Sequence, residues 1–140
     1  MPSEKLVRHY SGKVKQIETE ISIRSRLDGG NEYHSYKAIW DTGAMSSCIS
    51  PKIVKEMNLP QFSVTMARGV GDEPASEQPV YLVDVKLSNG VVIEGVKMVG
   101  IEVGGTDAAI GMDVISRGNF ATYYDEQEDM NMSFELLFDL

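Results

Sequence analysis

"WDTGAMSSCIS", residues 40–50, sets a carboxylate at the end of an apolar strand and follows it at once with Thr, Gly and Ala. An ionised carboxylate taken out of water without a partner costs several kcal/mol even after relaxation, so Asp41 either caps a turn or has a chemical use. Ala38, Ile39 and Trp40 carry the strand out of the core at Asp41. Thr42 adds a hydroxyl that both donates and accepts, and Gly43 lets the backbone turn sharply and approach another chain closely. Asp-Thr-Gly alone is common at turns. Its surroundings decide between the two readings.

Outward from this stretch the dominant period is two. Residues 15–25, "KQIETEISIRS", alternate Ile17, Thr19, Ile21 and Ile23 against polar neighbours, the pattern of a half-buried strand. "YHSYKAIW" (33–40) leads into Asp41 after a turn at "DGGN" (28–31). "VYLVDVKLSNGVVIEGVKMVGIEV" (80–103) reads as two strands around Asn89-Gly90, a dipeptide suited to the positive φ angles of a type I′ hairpin. Shorter strands are expected at 61–66, 107–110, 120–124 and 132–138. Ser50-Pro51 supplies an N-cap and a first-turn proline for a short helix with Ile53, Val54 and Met57 on one side. A second helix is expected over 112–117, ending at Gly118. The acidic run "DEQED" (125–129) reads as a solvated turn.

The chain has 140 residues, the size of one ordinary domain, and a single domain over 1–140 is expected, with 1–12 a flexible N-terminal arm and 125–140 a C-terminal hairpin extension. With 21 acidic and 13 basic side chains the net charge is -8, which argues against nucleic acid or an anionic membrane as the main partner. Cys48 is the only cysteine, so no intrachain disulfide forms, and with only His9 and His34 beside it no zinc site is expected. The start lacks an apolar signal region and no run approaches the roughly 18–20 apolar residues of a membrane span. These features set the expectation of a soluble, cytoplasmic protein without metal or cofactor.

Three further features fall in order along the chain. "ARGVGDEP" (67–74) has the glycine content of a mobile hairpin tip, with Gly69 and Gly71 flanking Val70, and "AAIGMDVISRGNF" (108–120) runs from two apolar residues through a glycine into a helix. Together with the Asp-Thr-Gly-Ala of residues 41–44, these resemble the retropepsin-like aspartic proteases, the single-lobe, homodimeric class, over roughly residues 15–124. The resemblance implies an all-β fold, a closed retropepsin-like β-barrel with a flap hairpin and one or two short helices. It implies Asp41 as the catalytic residue, supported by Thr42, Gly43 and Ala44. Arg68, Gly69, Val70 and Gly71 would form the substrate-binding flap, and Ile110, Gly111 and Asp113 the structural step beside the site, with Asp113 bonding the Ser47 hydroxyl.

Peptide hydrolysis without a metal needs a base to activate water and an acid to protonate the carbonyl oxygen. One carboxylate cannot do both, and the chain carries one Asp-Thr-Gly, so the resemblance implies a homodimer that brings two copies of Asp41 together. Two carboxylates so close share a proton, giving one base and one acid from identical residues. Ala44, lacking the donor a serine would offer, favours the protonated form. The implied partner is a peptide or protein substrate in extended conformation.

The chain departs from the viral pattern in three places. Met45 and Met112 replace an ion pair between loop and helix, a paired loss expected to repack as apolar contact. Trp40 stands where a small aliphatic residue is usual. The chain also runs on past residues 120–124 to a further strand at 132–138, and the two are expected to form a hairpin in the dimer base. Cys48 is expected to be buried. A peptide-binding or dimerisation module without turnover is the alternative function, since fold does not guarantee catalysis.

Overall fold

The computed structural model describes residues 5–27, 32–68 and 74–138. In chain order the elements are β1 (Leu6–Tyr10), β2 (Glu18–Ser25), β3 (His34–Trp40), β4 (Cys48–Ile49), α1 (Pro51–Met57), β5 (Ser63–Ala67), β6 (Ser76–Leu87), β7 (Val92–Gly100), β8 (Ala108–Ile110), α2 (Met112–Ile115), β9 (Gly118–Tyr124) and β10 (Met130–Leu136). Six of the strands close a barrel in the order β2-β3-β8-β4-β7-β6, with β6 pairing back onto β2, and β5 adds to β6 from outside the ring. The pairs β3–β8 and β4–β7 are parallel and the others mainly antiparallel.

The two-residue alternation of β2 builds one barrel wall. Thr19, Ile21 and Ile23 point inward with Ile17, and Trp40 Nε1 donates to Thr19 Oγ1 at 2.9 Å, which accounts for a hydroxyl in an isoleucine stripe. A polar group inside must find such a partner. Asp84, a charge in the apolar run of β6, is buried and receives Arg24 at 3.0 Å, Arg26 at 2.8 Å and the Gly95 N–H at 3.0 Å. Burial alone would raise its pKa, but these donors outweigh burial and hold it below the usual carboxylate range.

The β6–β7 turn differs from the type I′ expectation. Only Gly90 has a positive φ, +90°, while Asn89 does not. The Gly90 N–H donates to Leu87 O at 2.9 Å and the Leu87 N–H to Val91 O at 2.8 Å, so a three-residue loop with one left-handed glycine joins the strands. The first helix forms as its sequence implies: Ser50 Oγ accepts the Lys52 N–H, Pro51 opens the helix, Ile53 is buried, and Asn58 ends it at φ 51°. The second stops at Ile115, because Gly118 is already strand, where a Cβ would collide with the Glu135 carbonyl.

A second sheet, β1-β10-β9, packs below the barrel. Of the arm expected over 1–12, residues 1–4 lie outside the described residues, while Leu6–Tyr10 form a strand that pairs with Phe134–Met130 along its whole length. Only Leu6 in β1 is buried, so no alternation betrayed the strand. Residues 118–124 and 130–136 form the hairpin, and β10 is the middle strand, with Asn131, Met132, Ser133 and Phe134 all buried. Trp40 stacks on Phe120 at 5.6 Å between ring centroids and meets Phe134 at 5.1 Å, joining this sheet to the barrel in one core. The bulk of Trp40 thus serves the floor beneath the Asp41 strand.

The acidic turn is more than a solvated loop. Asp125 Oδ1 accepts the N–H groups of Gln127 and Asp129, and Asp129 Oδ1 accepts the Gly12 N–H. Their remaining oxygens face His9 of β1, at 3.6 Å from Nδ1 and 3.3 Å from Nε2, while Nδ1 bonds Asn131 Oδ1 at 2.9 Å. Each ring nitrogen has its own partners, the geometry of an ion-paired clamp between β1 and the β9–β10 turn. The Asn131 bond is the largest effect on His9; burial opposes it, and the charges of Asp125 and Asp129 add to it, so that the pKa lies above 6.5. Burial would raise that of Asp125, but the N–H donors, Asn131 and His9 outweigh it and lower the value from 3.8. A raised histidine stabilises the fold fully below its unfolded pKa and loses this as pH climbs through the folded one. A lowered carboxylate stabilises above its unfolded pKa and loses this as pH falls through the folded one. The clamp is therefore strongest between these two ranges. His9→Ala is expected to lower the melting temperature more at about pH 5.5 than at about pH 8.5; equal losses at both would show that the imidazole charge plays no part.

Candidate active site

The Asp41 loop is hung on the barrel by its backbone. Trp40 is paired with Ile110 in the parallel β3–β8 ladder, and the Asp41 N–H continues it by donating to Ile110 O at 2.8 Å. The chain then turns, with the Ala44 N–H on Asp41 O at 3.1 Å and the Gly43 N–H on Asp41 Oδ1 at 2.9 Å. The side chain of Asp41 is thereby oriented and half-buried, while Thr42 and Gly43 are exposed. Asp41 and Thr42 border a cavity of about 580 Å³ that also meets Ile17, Trp40, Phe120 and Met130.

The far end of the loop is stapled to α2. The N–H groups of Met112 and Asp113 donate to Ala44 O at 2.8 Å and Met45 O at 3.2 Å. Ser47 Oγ donates to Asp113 Oδ1 at 2.7 Å and accepts the Gly111 N–H at 3.0 Å, and the Ser47 N–H donates to Asp113 Oδ2 at 2.9 Å. The Ser47–Asp113 bond read from the sequence is present, and Ile110, Gly111 and Asp113 do meet the Asp41 loop. Gly111 is extended, at φ -98°, so its glycine is needed for space: a Cβ would stand 2.8 Å from the Ser46 carbonyl and 2.9 Å from Ala44 O. Those are backbone atoms that cannot step aside. Gly111→Ala is expected to push the loop off α2 and cost about 1–3 kcal/mol of stability, the usual range for overpacking. A melting temperature equal to wild type would contradict this tight seating.

Met45 and Met112 do not repack against one another as an apolar replacement for an ion pair. Met45 is 87% exposed and Met112 38%, and the backbone bonds just described carry the loop–helix contact instead. Cys48 is half-buried, its thiol bonded to Ser46 O at 3.5 Å. Burial, then the charges of Asp113 and Asp41, push its pKa up to about 11, so it is a protonated thiol at neutral pH.

The expected flap lies on β5 and β6, which pair up to Ala67↔Ser76. Arg68 follows β5 and is exposed; Gly69, Val70 and Gly71 lie outside the described residues. Phe62, Val64 and Met66 alternate along this hairpin arm and are all exposed. Reasoning on the sequence missed two neighbours of the site, the short strand β4, too brief to show a period, and Lys97 on β7. The Asp84 cluster had a signal, a charge inside an apolar strand.

Similarity to known proteins accords with this geometry. The family model for aspartyl proteases (Asp_protease_2) matches residues 23–114, more than half of the chain, and the chain belongs to that family. Among solved structures, a retropepsin-like aspartic protease from Rickettsia conorii superposes with a TM-score of 0.60 at 10% identity, over 97% of this chain and 97% of the other. EIAV protease, solved with the inhibitor HBY-793, superposes with a TM-score of 0.51 at 19% identity, over 73% of this chain and 86% of its own. At such identities the likeness establishes the fold, a retropepsin-like barrel. No curated protein sequence matches the chain. Among the described residues no helix is long and apolar enough to cross a membrane.

Proposed function

We propose that the chain is an aspartic endopeptidase that hydrolyses peptide bonds with a water activated between two Asp41 carboxylates of a homodimer. The observation that carries this reading is the Asp41 loop itself, an Asp-Thr-Gly-Ala turn with its carboxylate oriented by the Gly43 N–H and both ends fixed to the barrel. In the reaction the ionised Asp41 takes a proton from the water, whose oxygen adds to the peptide carbonyl carbon, while the protonated Asp41 of the second copy gives its proton to the carbonyl oxygen. The tetrahedral intermediate then breaks its C–N bond as the first Asp41 passes the proton it took from water to the amine nitrogen, and a hydroxyl of the intermediate returns its proton to the second Asp41 as the carbonyl re-forms. Thr42 reaches across to the partner's loop, Gly43 and Ala44 leave room for an extended substrate, and Arg68, Gly69, Val70 and Gly71 cover it.

The outer surface supports a second copy. The outer edges of β1 and β9 have no strand partner among the described residues, and unpaired edges favour intermolecular pairing. Tyr123 and Tyr124 on β9 and Met45 beside the Asp41 loop are exposed, as is Thr42. The test is digestion of a diverse peptide library from acid to neutral pH, read by mass spectrometry, with inhibition by a hydroxyl-bearing peptide isostere that mimics the tetrahedral intermediate. Cleavage blocked by the isostere supports the proposal. Isostere and substrate peptides bound equally, without products, would point to the peptide-binding module instead.

A further inference from the structure

A cavity of about 220 Å³ lies between the Asp41 loop and the flap arm, lined by Ser46, Ser63, Val64, Thr65, Val80 and Val99, with Lys97 at its side. Its floor is apolar, since Val80 and Val99 are buried, and the Val99 N–H donates to Ser47 O at 2.9 Å, tying β7 to the end of the loop. Its wall is different. The hydroxyls of Ser46, Ser63 and Thr65 make no hydrogen bond with any described residue, and the Lys97 ammonium is within reach of no carboxylate among them. That ammonium stands 5.8 Å from the centre of the Phe62 ring, which steadies it above the cavity mouth. Lys97 is exposed and is the one charged side chain among the described residues that line the cavity, beside three hydroxyls.

We infer that this cavity is a side-chain subsite for an acidic residue of the substrate, Asp or Glu, and that Lys97 is its specificity-determining residue. The inference rests on the proteolytic reading, because it needs an extended peptide lying between the Asp41 loop and β5. Such a peptide turns alternate side chains to one side, and the volume is below that of small-molecule pockets and suits one side chain. The carboxylate of that side chain accepts hydrogen bonds from the serine and threonine hydroxyls and pairs with Lys97, while its methylenes rest on Val80 and Val99. A neutral amide of the same shape takes the hydroxyls and loses the charge.

Two readouts keep this inference apart from the proteolytic one. In the library digest, wild type is expected to favour Asp or Glu at one position by about fivefold, the reach of a partly solvated ion pair. Lys97→Met should level that preference and Lys97→Glu should turn it toward Lys or Arg. A preference at every position unchanged by both variants would overturn the inference. Independently of turnover, a non-cleavable isostere carrying Glu at that position should bind wild type more tightly than its Gln counterpart, and the ratio should fall toward one in Lys97→Met and as salt is raised. Absence of cleavage would overturn the proteolytic reading, and a Glu-to-Gln ratio of one in wild type would overturn the subsite.

Discussion

Asp41→Asn is expected to lose peptide cleavage by at least about 10³-fold, the scale of removing a positioned acid–base group, while remaining folded and dimeric. Asn keeps an oxygen to accept the Gly43 N–H, so the turn that Asp41 Oδ1 now holds at 2.9 Å is preserved. It cannot take a proton from water. In the proposed dimer the substitution also removes the single negative charge that the proton-sharing pair would hold, so the melting temperature should hold or rise. Residual hydrolysis at the wild-type rate in a clean preparation would remove Asp41 from the chemistry, and a collapsed fold would make it a structural turn residue.

Phe134→Ala should destabilise the chain by about 3–5 kcal/mol, as for other buried aromatic truncations, or about 10–17 °C in thermal melting. Phe134 is 1% exposed, lies opposite both Leu6 and Phe120 in the second sheet, and packs on Trp40, whose neighbour is Asp41. The cavity it leaves would loosen the floor of the Asp41 strand, so activity should fall at temperatures where the protein is still folded. For the same reason, deleting residues 131–140 removes the middle strand of a sheet, not an appendage, and should abolish folding. A melting curve close to wild type for Phe134→Ala would show that the second sheet contributes little.

The parts legible in the sequence are those where one face is buried and the pattern repeats. Ile17, Thr19, Ile21 and Ile23 announced β2 by alternation, Ser50-Pro51 announced the first helix by cap chemistry, and Gly111 and Asp113 stood out as a pair that does bond to the loop after Asp41, both through Ser47. What escaped notice had no periodic signature. β1 buries one side chain in five, β4 has two residues, and the His9 clamp joins groups more than a hundred positions apart. The β6–β7 turn misled because Asn89 tolerates a left-handed conformation that the longer loop does not ask of it. Met45 and Met112 misled for another reason: loss of two charges says that an ion pair is absent, and only the fold shows that backbone hydrogen bonds took over its place.

The central claim is that one Asp41 from each of two chains makes a single site, and mixing tests it most directly. Inactive Asp41→Asn protein is titrated in large excess into a fixed amount of wild type, with mixed dimers followed by native mass spectrometry and cleavage of a fluorogenic peptide recorded in parallel. A shared site predicts that activity falls toward zero in step with capture of wild-type chains into mixed dimers, because each such dimer holds a single carboxylate, which cannot serve as both base and acid. Unchanged activity per wild-type chain while mixed dimers form, or full activity from a monomer, would contradict it.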